Sequence, residues 1–405
     1  MNTTRNTTLL QDLRALPGQY WILFSGTLIN RFGHFVIPFL AIYLRGKGYE
    51  AATVGLVLSS YGAGAMLAGV IGGYLADHIG RKPTMLISCF GSGGFMLLLS
   101  QANNIPALVV STAATGLLAA MYFPASSALI ADLIPAHLRV RAFACQRLAV
   151  NAGFAAGMAT AGFMAKNSFT TLFIVDAATT FILGAAVCFG LKSKVLPVGN
   201  KGGWMPALRH MKNNLAFQLA AGAALLIAVV FWQMSSSYGL QVTEGACLDE
   251  RTYGLLMALN GIMIVFLELP LTSFTRRFNP QKIMAIGYAI TGIGMGLNFF
   301  GATLSMLAIN MVVFTFGEMI SSPVASSYLA GLAPDEMRGR YQGVISIAWS
   351  SATMLGPSLG LGLYQFNPGF LWITITLFGL SAAAMILNSG RCRAAFPAAI
   401  PQSQP

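Results

Sequence analysis

The stretch FPASSALIADLIPAHLRVR at residues 123–141 decides the fold of this chain, because SPVASSYLAGLAPDEMRGR at 322–340 repeats its pattern. Matching residues in the two stretches lie 199 positions apart. The same offset relates further segments on either side, and it places Gly157 on Gly356. A constant offset across separated segments predicts a duplicated chain whose two halves have equivalent folds.

The composition indicates a membrane protein. Of the 405 residues, 56% are hydrophobic and only 9% are charged, whereas soluble domains carry about 25% charged residues. A spanning helix needs roughly 20 apolar residues, and twelve segments satisfy this requirement. They lie near 19–43, 52–76, 84–101, 106–132, 140–165, 169–192, 215–240, 252–274, 281–300, 304–331, 340–364 and 369–388.

Six spans in each repeat give the two halves the same orientation, so the repeats are parallel. We therefore predict an all-α membrane protein with twelve transmembrane helices in two parallel-related six-helix bundles. The predicted divisions are an N-terminal bundle at 1–192, a cytoplasmic central loop at 193–214, and a C-terminal bundle with a short cytoplasmic tail at 215–405.

The basic residues predict the orientation. Eighteen Lys and Arg residues fall in one set of loops, and four fall in the opposite set. Since Lys and Arg are enriched in cytoplasmic loops, both termini and the central loop are expected in the cytoplasm. The expected location is the bacterial inner membrane, with the chain crossing it many times.

Several other classes are disfavoured. The net charge of +12 is interleaved with apolar runs, so it indicates topology and not nucleic-acid binding. The five cysteines show no CxxC pair and no plausible disulfide framework. We find no nucleotide-binding loop, no constellation of an intramembrane enzyme and no metal-binding motif, and we expect no cofactor. Transport energy must then come from an ion or substrate gradient.

The loop after the second span, GYLADHIGRKPTML at 73–86, resembles the signature loop of the major facilitator superfamily. Gly73, Asp77, Gly80, Arg81 and Lys82 stand at positions that match the family pattern. The resemblance implies the twelve-helix major facilitator fold, and the chain is most similar to the bacterial drug:proton antiporter branch.

The family uses this loop as a conformational latch. Asp77 is expected at the cytoplasmic end of a helix, where the helix dipole disfavours an acid. It therefore needs a partner, and Arg141 or another cytoplasmic Arg is the predicted one. The alternative is that Arg81 and Lys82 serve only to set the topology.

The fifth span, RLAVNAGFAAGMATAG at 147–162, resembles the antiporter motif of the family. Small residues at helical spacing allow helices to approach closely, so a packing role explains the motif equally well. The motif Pro is absent from this span, while its counterpart in the second half keeps one. The predicted packing residues are Gly153, Gly157, Gly162, Gly356 and Pro357.

Ionisable residues within spans are costly and usually face the protein interior or a water-filled path. Asn30, Arg31 and His34 share one face of the first span, as Arg147 and Asn151 do in the fifth. We expect these residues to line the substrate cavity or to form buried structural pairs. The predicted cavity set is Asn30, Arg31, His34, Arg147, Asn151, Trp232 and Gln233.

A buried carboxylate or a histidine can carry a proton, which makes Glu318, His34 and Glu268 candidates for proton coupling. A structural hydrogen-bonding role is the alternative for each. Asp176, in the outer part of the sixth span, is expected to be interfacial.

The leading functional prediction is a secondary active transporter that works by alternating access and exports small amphipathic compounds in exchange for protons. The alternative is a specific carrier of a metabolite such as an organic anion, which Arg31 and Arg147 favour. A receptor or assembly factor that transports nothing is a third class. The expected partners are a small-molecule substrate, protons and the lipid bilayer, without nucleic acid, and the expected state is a monomer.

Overall fold

The computed structural model describes residues 15–191, 204–275, 277–301, 303–334 and 337–395. Throughout these ranges the regular structure is helical, and no strand occurs in them. Twelve helical segments there are long and apolar enough to cross a membrane. The predicted all-α fold with twelve transmembrane helices is confirmed.

Seven helices occur in residues 15–191, the described part of the first half of the chain. They are α1 (Gly18–Gly33), α2 (Val36–Gly46), α3 (Ala51–His78), α4 (Arg81–Gln101), α5 (Ile105–Leu133), α6 (Ala136–Asn167) and α7 (Phe169–Gly190). The first span consists of α1 and α2 together, and each of the others is one helix.

The second half begins with α8 (Trp204–Lys212), which lies inside the region predicted as the central loop. The spans that follow use α9 (Leu215–Trp232), α10 (Ser237–Leu240), α11 (Glu250–Thr275), α12 (Pro280–Gly296), α13 (Leu304–Ala330), α14 (Arg338–Phe366) and α15 (Pro368–Ala395). The seventh span joins α9 and α10 through a 3₁₀ turn and ends in a π-helical turn at Gln241–Gly245.

Local sequence signals explain where several helices begin. Asn104, Asn214 and Asn279 accept hydrogen bonds from the first-turn amides of α5, α9 and α12 with their side-chain oxygens. Asn is a favoured N-cap because it satisfies amides that have no partner within the helix. Pro occupies the first turn of α5 and α12, where its missing N–H costs nothing.

The first span of each half is interrupted at the same place. α1 ends at Gly33 with His34 as its C-cap, and α9 ends at Trp232 with Gln233 as its C-cap. Both pairs differ by 199, which is the offset of the sequence repeat. The duplication therefore includes the helix break as well as the helices.

The chain divides into two compact units by its internal contacts, while the predicted domain boundaries stay a prediction. One comprises Met1–Ile37 and Ala63–Gly199, and the other comprises Pro38–Gly62 and Asn200–Pro405. The segment 38–62, which contains most of α2 and the first half of α3, thus groups with the C-terminal half. The chain changes units directly after the break in the first span.

The glycines of the fifth span pack against the backbone of α1. A methyl group at Gly157 would overlap the Phe32 carbonyl oxygen, and one at Gly153 would lie 2.6 Å from the Leu28 carbonyl oxygen. Such contacts are possible only because α6 carries no side chain at these positions. These glycines fix the distance between α6 and the part of α1 that carries Arg31.

We expect Gly157→Ala to lower the thermal unfolding temperature of the purified protein, because overpacking a tight contact costs about 1–3 kcal/mol. Gly94→Ala is the matched control, since a methyl group there meets no atom within 4 Å. Differential scanning fluorimetry in detergent measures both. Equal unfolding temperatures for the two variants would contradict the close packing of α6 on α1.

Candidate functional site

The break in the first span is a tight turn centred on His34. Its backbone angles, φ −81° and ψ 62°, are those of an inverse γ-turn, and the Phe35 amide donates to the Gly33 carbonyl at 2.9 Å. The turn removes the amides at the start of α2 from the helical hydrogen-bond pattern. They need other partners, because an unsatisfied amide inside a bilayer costs several kcal/mol.

Asp176 of α7 supplies one such partner. Its Oδ2 accepts a hydrogen bond from the Val36 amide at 3.4 Å, at the first residue of α2. A carboxylate is stabilised at a helix N-terminus by the unpaired amides and the helix dipole. Asp176 is only 2% exposed, so the expectation that it is interfacial is wrong.

Two further contacts join α1 to α7 around this carboxylate. The Asn30 side-chain amide donates to the Thr180 hydroxyl at 2.9 Å. A methyl group at Gly33 would overlap the Thr179 hydroxyl, so the two helices touch directly at the break. Arg31 interacts electrostatically with both Asp176 and His34. The three residues predicted on the first span are partly buried, and Arg31 links His34 to the buried Asp176 in one polar cluster.

A second group of polar side chains lies one turn earlier on α1. Gln146 of α6 donates to the Thr27 hydroxyl at 2.7 Å, and Tyr122 of α5 lies beside Thr27 and Arg31. Among the described residues, Arg31 Nε and Gln146 Oε1 are buried without a hydrogen-bond partner. A buried donor and acceptor without partners are the features that a polar ligand or ordered water satisfies.

The remaining predicted residues of the fifth span are more accessible. The Arg147 side chain is exposed on α6, and Asn151, one turn further on, is partly buried. Gly162 is buried on the same helix. The placement of Arg147 and Asn151 is compatible with a cavity lining, which stays a prediction.

The break in the seventh span is satisfied by neutral groups. The Gln233 amide nitrogen donates to the carbonyl oxygens of Val229 and Gly356 at 3.0 and 3.2 Å, and its oxygen accepts from the Ser237 hydroxyl at 2.9 Å. Gln233 is fully buried, so it holds α9 to α14 and has no exposed surface to offer a substrate.

The neighbouring Trp232 is partly buried against the glycine of the Gly356–Pro357 pair. A methyl group at Gly356 would lie 3.0 Å from the Trp232 Cβ. The pair on α14 therefore permits close approach to the end of α9, as the packing interpretation of the motif predicts.

Glu318 of α13 forms a polar group with α11. The Asn260 amide donates to Glu318 Oε2 at 2.9 Å and to the Thr315 hydroxyl at 3.0 Å. Glu268, further along α11, is 8% exposed and lies two residues before Pro270. Both predicted acids are therefore located within helices of the C-terminal half.

An aromatic wall lies one helical turn from Glu318. It consists of Phe231, Phe314 and Trp349, with ring centroids 5.1 Å apart for Phe231 and Phe314 and 5.7 Å apart for Phe231 and Trp349. Phe314 is fully buried, whereas Trp349 is 39% exposed. A carboxylate beside aromatic faces suits a cation that carries apolar groups, because both attract positive charge.

The signature loop makes contacts other than the predicted one. Arg81 pairs with Asp132 at the end of α5, with Nε 2.6 Å from Oδ2, and Lys82 donates to the Cys188 and Leu191 carbonyls, both at 2.7 Å. Lys82 thereby satisfies the last carbonyls of α7, where a cation is favoured. Gly80, with φ +96°, provides the turn that starts α4.

The predicted latch between Asp77 and Arg141 stays a prediction. Gly73 and the side chain of Asp77 lie outside the described part of the structure, and Arg141 is partly buried. The observed partner of the loop is Asp132, which sequence analysis missed.

Residues 38–62 are held to the C-terminal half by an ion pair. Arg45 meets Glu244 in a bidentate arrangement, with Nε–Oε1 at 2.6 Å and Nη2–Oε2 at 3.1 Å, and it also donates to the Tyr49 carbonyl at 3.0 Å. Arg45 and Glu244 differ by 199, so they are equivalent positions of the two repeats. Opposite charges at equivalent positions are the sequence signal that could have identified this pair.

The first half of α3 lies directly on α14. The Ser59 and Ser358 hydroxyls are 2.7 Å apart, and a methyl group at Gly55 would lie 3.0 Å from the Ser358 Cα. At Gly62 a methyl group would overlap the backbone of Met354. This backbone-to-backbone contact seals the second and eleventh spans together along the 51–62 segment.

A duplicated set of twelve apolar helices, with charged side chains and interrupted helices inside each half, is typical of polytopic membrane transporters. The family model described as Major Facilitator Superfamily matches residues 23–247 and 215–390. The chain belongs to the major facilitator superfamily, and it is therefore a multi-pass membrane transporter and not an enzyme.

Curated relatives support the assignment. The chain is 28% identical to a Na(+), Li(+), K(+)/H(+) antiporter of Planococcus maritimus over 386 residues, which cover 87% of this chain and 91% of the antiporter. It is 25% identical to the quinolone resistance protein NorA of Staphylococcus aureus over 357 residues, which cover 85% of this chain and 90% of NorA. The relatives agree with a resemblance to the drug:proton antiporter branch.

A solved structure of similar fold is a POT family transporter in complex with 5-aminolevulinic acid. It superposes with a TM-score of 0.79 and 14% identity, over 94% of this chain and all of that one. At this identity the likeness shows the fold alone.

We expect a Ser59→Cys/Ser358→Cys double variant to form a disulfide under mild oxidation, because the two hydroxyls already lie within contact distance. The bond would hold residues 51–62 on α14, and transport should stop until a reductant is added. The measurement is a mobility shift with vesicle uptake, in a background without Cys145 and Cys247. The single variants should stay active, and failure of the double variant to cross-link would contradict the observed contact.

Proposed function

We propose that this transporter exports small amphipathic compounds in exchange for protons by alternating access. The observation that carries the proposal is the position of Glu318, one turn from the aromatic wall and bonded to Asn260. A carboxylate beside aromatic faces offers one site that a proton and an amphipathic cation can occupy in turn. The resistance protein among the relatives supports a drug-like substrate.

The proposed orientation places both termini in the cytoplasm of a bacterial cell and the 46–50 loop on the opposite side of the inner membrane. The contacts of residues 38–62 with α14 and Glu244 then close the transporter on that outer side. Opening them is the conformational step that alternating access requires. Asp77, Arg81, Lys82 and Arg141 are the proposed latch at the cytoplasmic side.

Proton coupling is assigned to Glu318, with His34 and Glu268 as further candidates. Glu318 exchanges its proton while Asn260 keeps the carboxyl group in place. The proposed cavity lining comprises Asn30, Arg31, His34, Arg147, Asn151 and Trp232. Gln233 is left out, because its amide is fully occupied between α9 and α14.

A specific observation also favours carriage of an organic anion. Arg31 Nε is buried without a hydrogen-bond partner among the described residues, and guanidinium groups match carboxylates in geometry. In that case Arg31 is the residue that binds substrate. A single anionic metabolite would then replace the broad range of amphipathic cations.

Energised everted vesicles distinguish these proposals. We expect the lipophilic cation ethidium to dissipate the pH gradient in vesicles with the wild-type protein, because its exchange consumes protons. Glu318→Gln should weaken this response roughly tenfold or more, since Gln keeps an oxygen for the Asn260 amide but removes the negative charge and the proton site. Glu250→Gln, at the start of α11, is the matched control and should respond as the wild type does.

A thermal-shift screen of the purified protein tests substrate class directly, because a ligand that binds the native state stabilises it in proportion to its affinity. Stabilisation by several unrelated cations supports drug export. Stabilisation by one anion that Arg31→Ala abolishes, without any response to cations, would replace drug export by anion carriage.

A further inference from the structure

The two helix breaks are equivalent in position but are satisfied by different chemistry. In the seventh span, Gln233 and Ser237 bond each other across the break, and the Ser236 hydroxyl donates to the Trp232 carbonyl at 2.8 Å. All of these groups are neutral at any physiological pH. In the first span the break is bridged from another helix by Asp176, which is an ionisable group.

Charged and titratable groups on the neighbouring helices surround Asp176. On α1, Arg31 interacts electrostatically with the carboxylate, and His34 forms the turn opposite it. Of the other helices packed on α7, α4 carries the Cys89 thiol beside Gly184, and α6 carries Lys166 at its exposed end. Arg31 is therefore the charged group on the neighbouring helices that interacts with Asp176 among the described contacts.

We propose that Asp176 binds the transported proton in the N-terminal half, and that its protonation loosens the break in the first span. The inference rests on the proposed proton exchange and adds a second proton site to it. In the charged form, Asp176 balances Arg31 and holds the Val36 amide at the start of α2. In the neutral form, both of these attractions weaken.

The same charge balance explains why a proton and a cationic substrate exclude each other. With Asp176 ionised, the pair of Arg31 and Asp176 is neutral overall. With Asp176 protonated, Arg31 remains as an uncompensated positive charge inside the bundle, which repels a cation. Proton binding at Asp176 is then unfavourable for any cation that lies beside Arg31, in addition to the exchange proposed at Glu318.

The break is also where the chain leaves one compact unit for the other. The N-terminal unit ends at Ile37, one residue after the amide that Asp176 holds. Residues 38–62 then carry Arg45 and Ser59 to the C-terminal half. In the proposal, protonation of Asp176 therefore affects the chain at Val36, directly before residues 38–62, which pack against α14.

Infrared difference spectroscopy tests the proton site without any transport assay. Acidifying the purified protein from about pH 8 to about pH 5 should produce a protonated-carboxyl band that Asp176→Asn removes. Glu318→Gln and Glu268→Gln should keep that band. Asn retains an oxygen for the Val36 amide, so the variant is expected to fold. A band unchanged by Asp176→Asn would overturn the proposal, whatever the vesicle experiments show.

Hydrogen exchange tests the link to the helix break. At one fixed pH, we expect peptides that cover residues 34–38 to exchange roughly tenfold faster in Asp176→Asn than in the wild type, because a neutral amide holds the Val36 N–H less strongly than a carboxylate. Residues 233–237 form an internal control with unchanged exchange. Equal exchange at 34–38 would leave Asp176 without a role at the break and would overturn that part of the proposal.

Discussion

A backbone amide without a partner costs several kcal/mol inside a bilayer, and the interrupted first spans of both halves depend on meeting that requirement. A continuous helix satisfies its own amides, so a break is tolerated only where side chains replace the lost bonds. In the seventh span the replacement comes from Gln233, which is bonded on three sides. In the first span it comes from Asp176 of α7, and this requirement draws an acid into the core of the bundle.

The duplication explains why the breaks coincide, and divergence explains why they behave differently. The residues that end the helices, Gly33 and Trp232, are equivalent, as are the C-caps His34 and Gln233. The position of the break has thus been kept, whereas the backbone geometry and the polar chemistry have changed: His34 forms a γ-turn and Gln233 begins a 3₁₀ turn. The break in the seventh span is held by neutral groups alone, whereas the proposal makes the break in the first span depend on the charge of Asp176.

The sequence predicts the twelve spans, the duplication and the close packing of the glycines, because each of these follows from local composition and a constant offset. It does not predict the environment of Asp176, since a span boundary uncertain by a few residues decides between an interfacial and a buried acid. The sequence also predicts Gln233 as a cavity residue, because residue type alone cannot show that its side-chain amide is already hydrogen-bonded within the protein. Pairings such as Arg81 with Asp132 join residues distant in the chain, and only the fold brings them together.

The proposed alternating access requires the contacts of residues 38–62 with α14 and Glu244 to break in each cycle. This requirement limits how much those contacts may stabilise the closed state. The ion pair of Arg45 and Glu244 is about one third exposed on each side, and such pairs contribute about 0.2–1 kcal/mol. The hydrogen bond between Ser59 and Ser358 contributes about 1 kcal/mol. When a conformational change alters the pKa of a carboxyl group by one unit, the coupled free energy is about 1.4 kcal/mol. Residues 38–62 also bury apolar side chains such as Phe39, Leu40 and Val57, and this burial contributes more than the two polar contacts do. Under the proposed mechanism, opening must therefore be offset by contacts formed in the other state, and a proton biases that balance by the free energy of its pKa change.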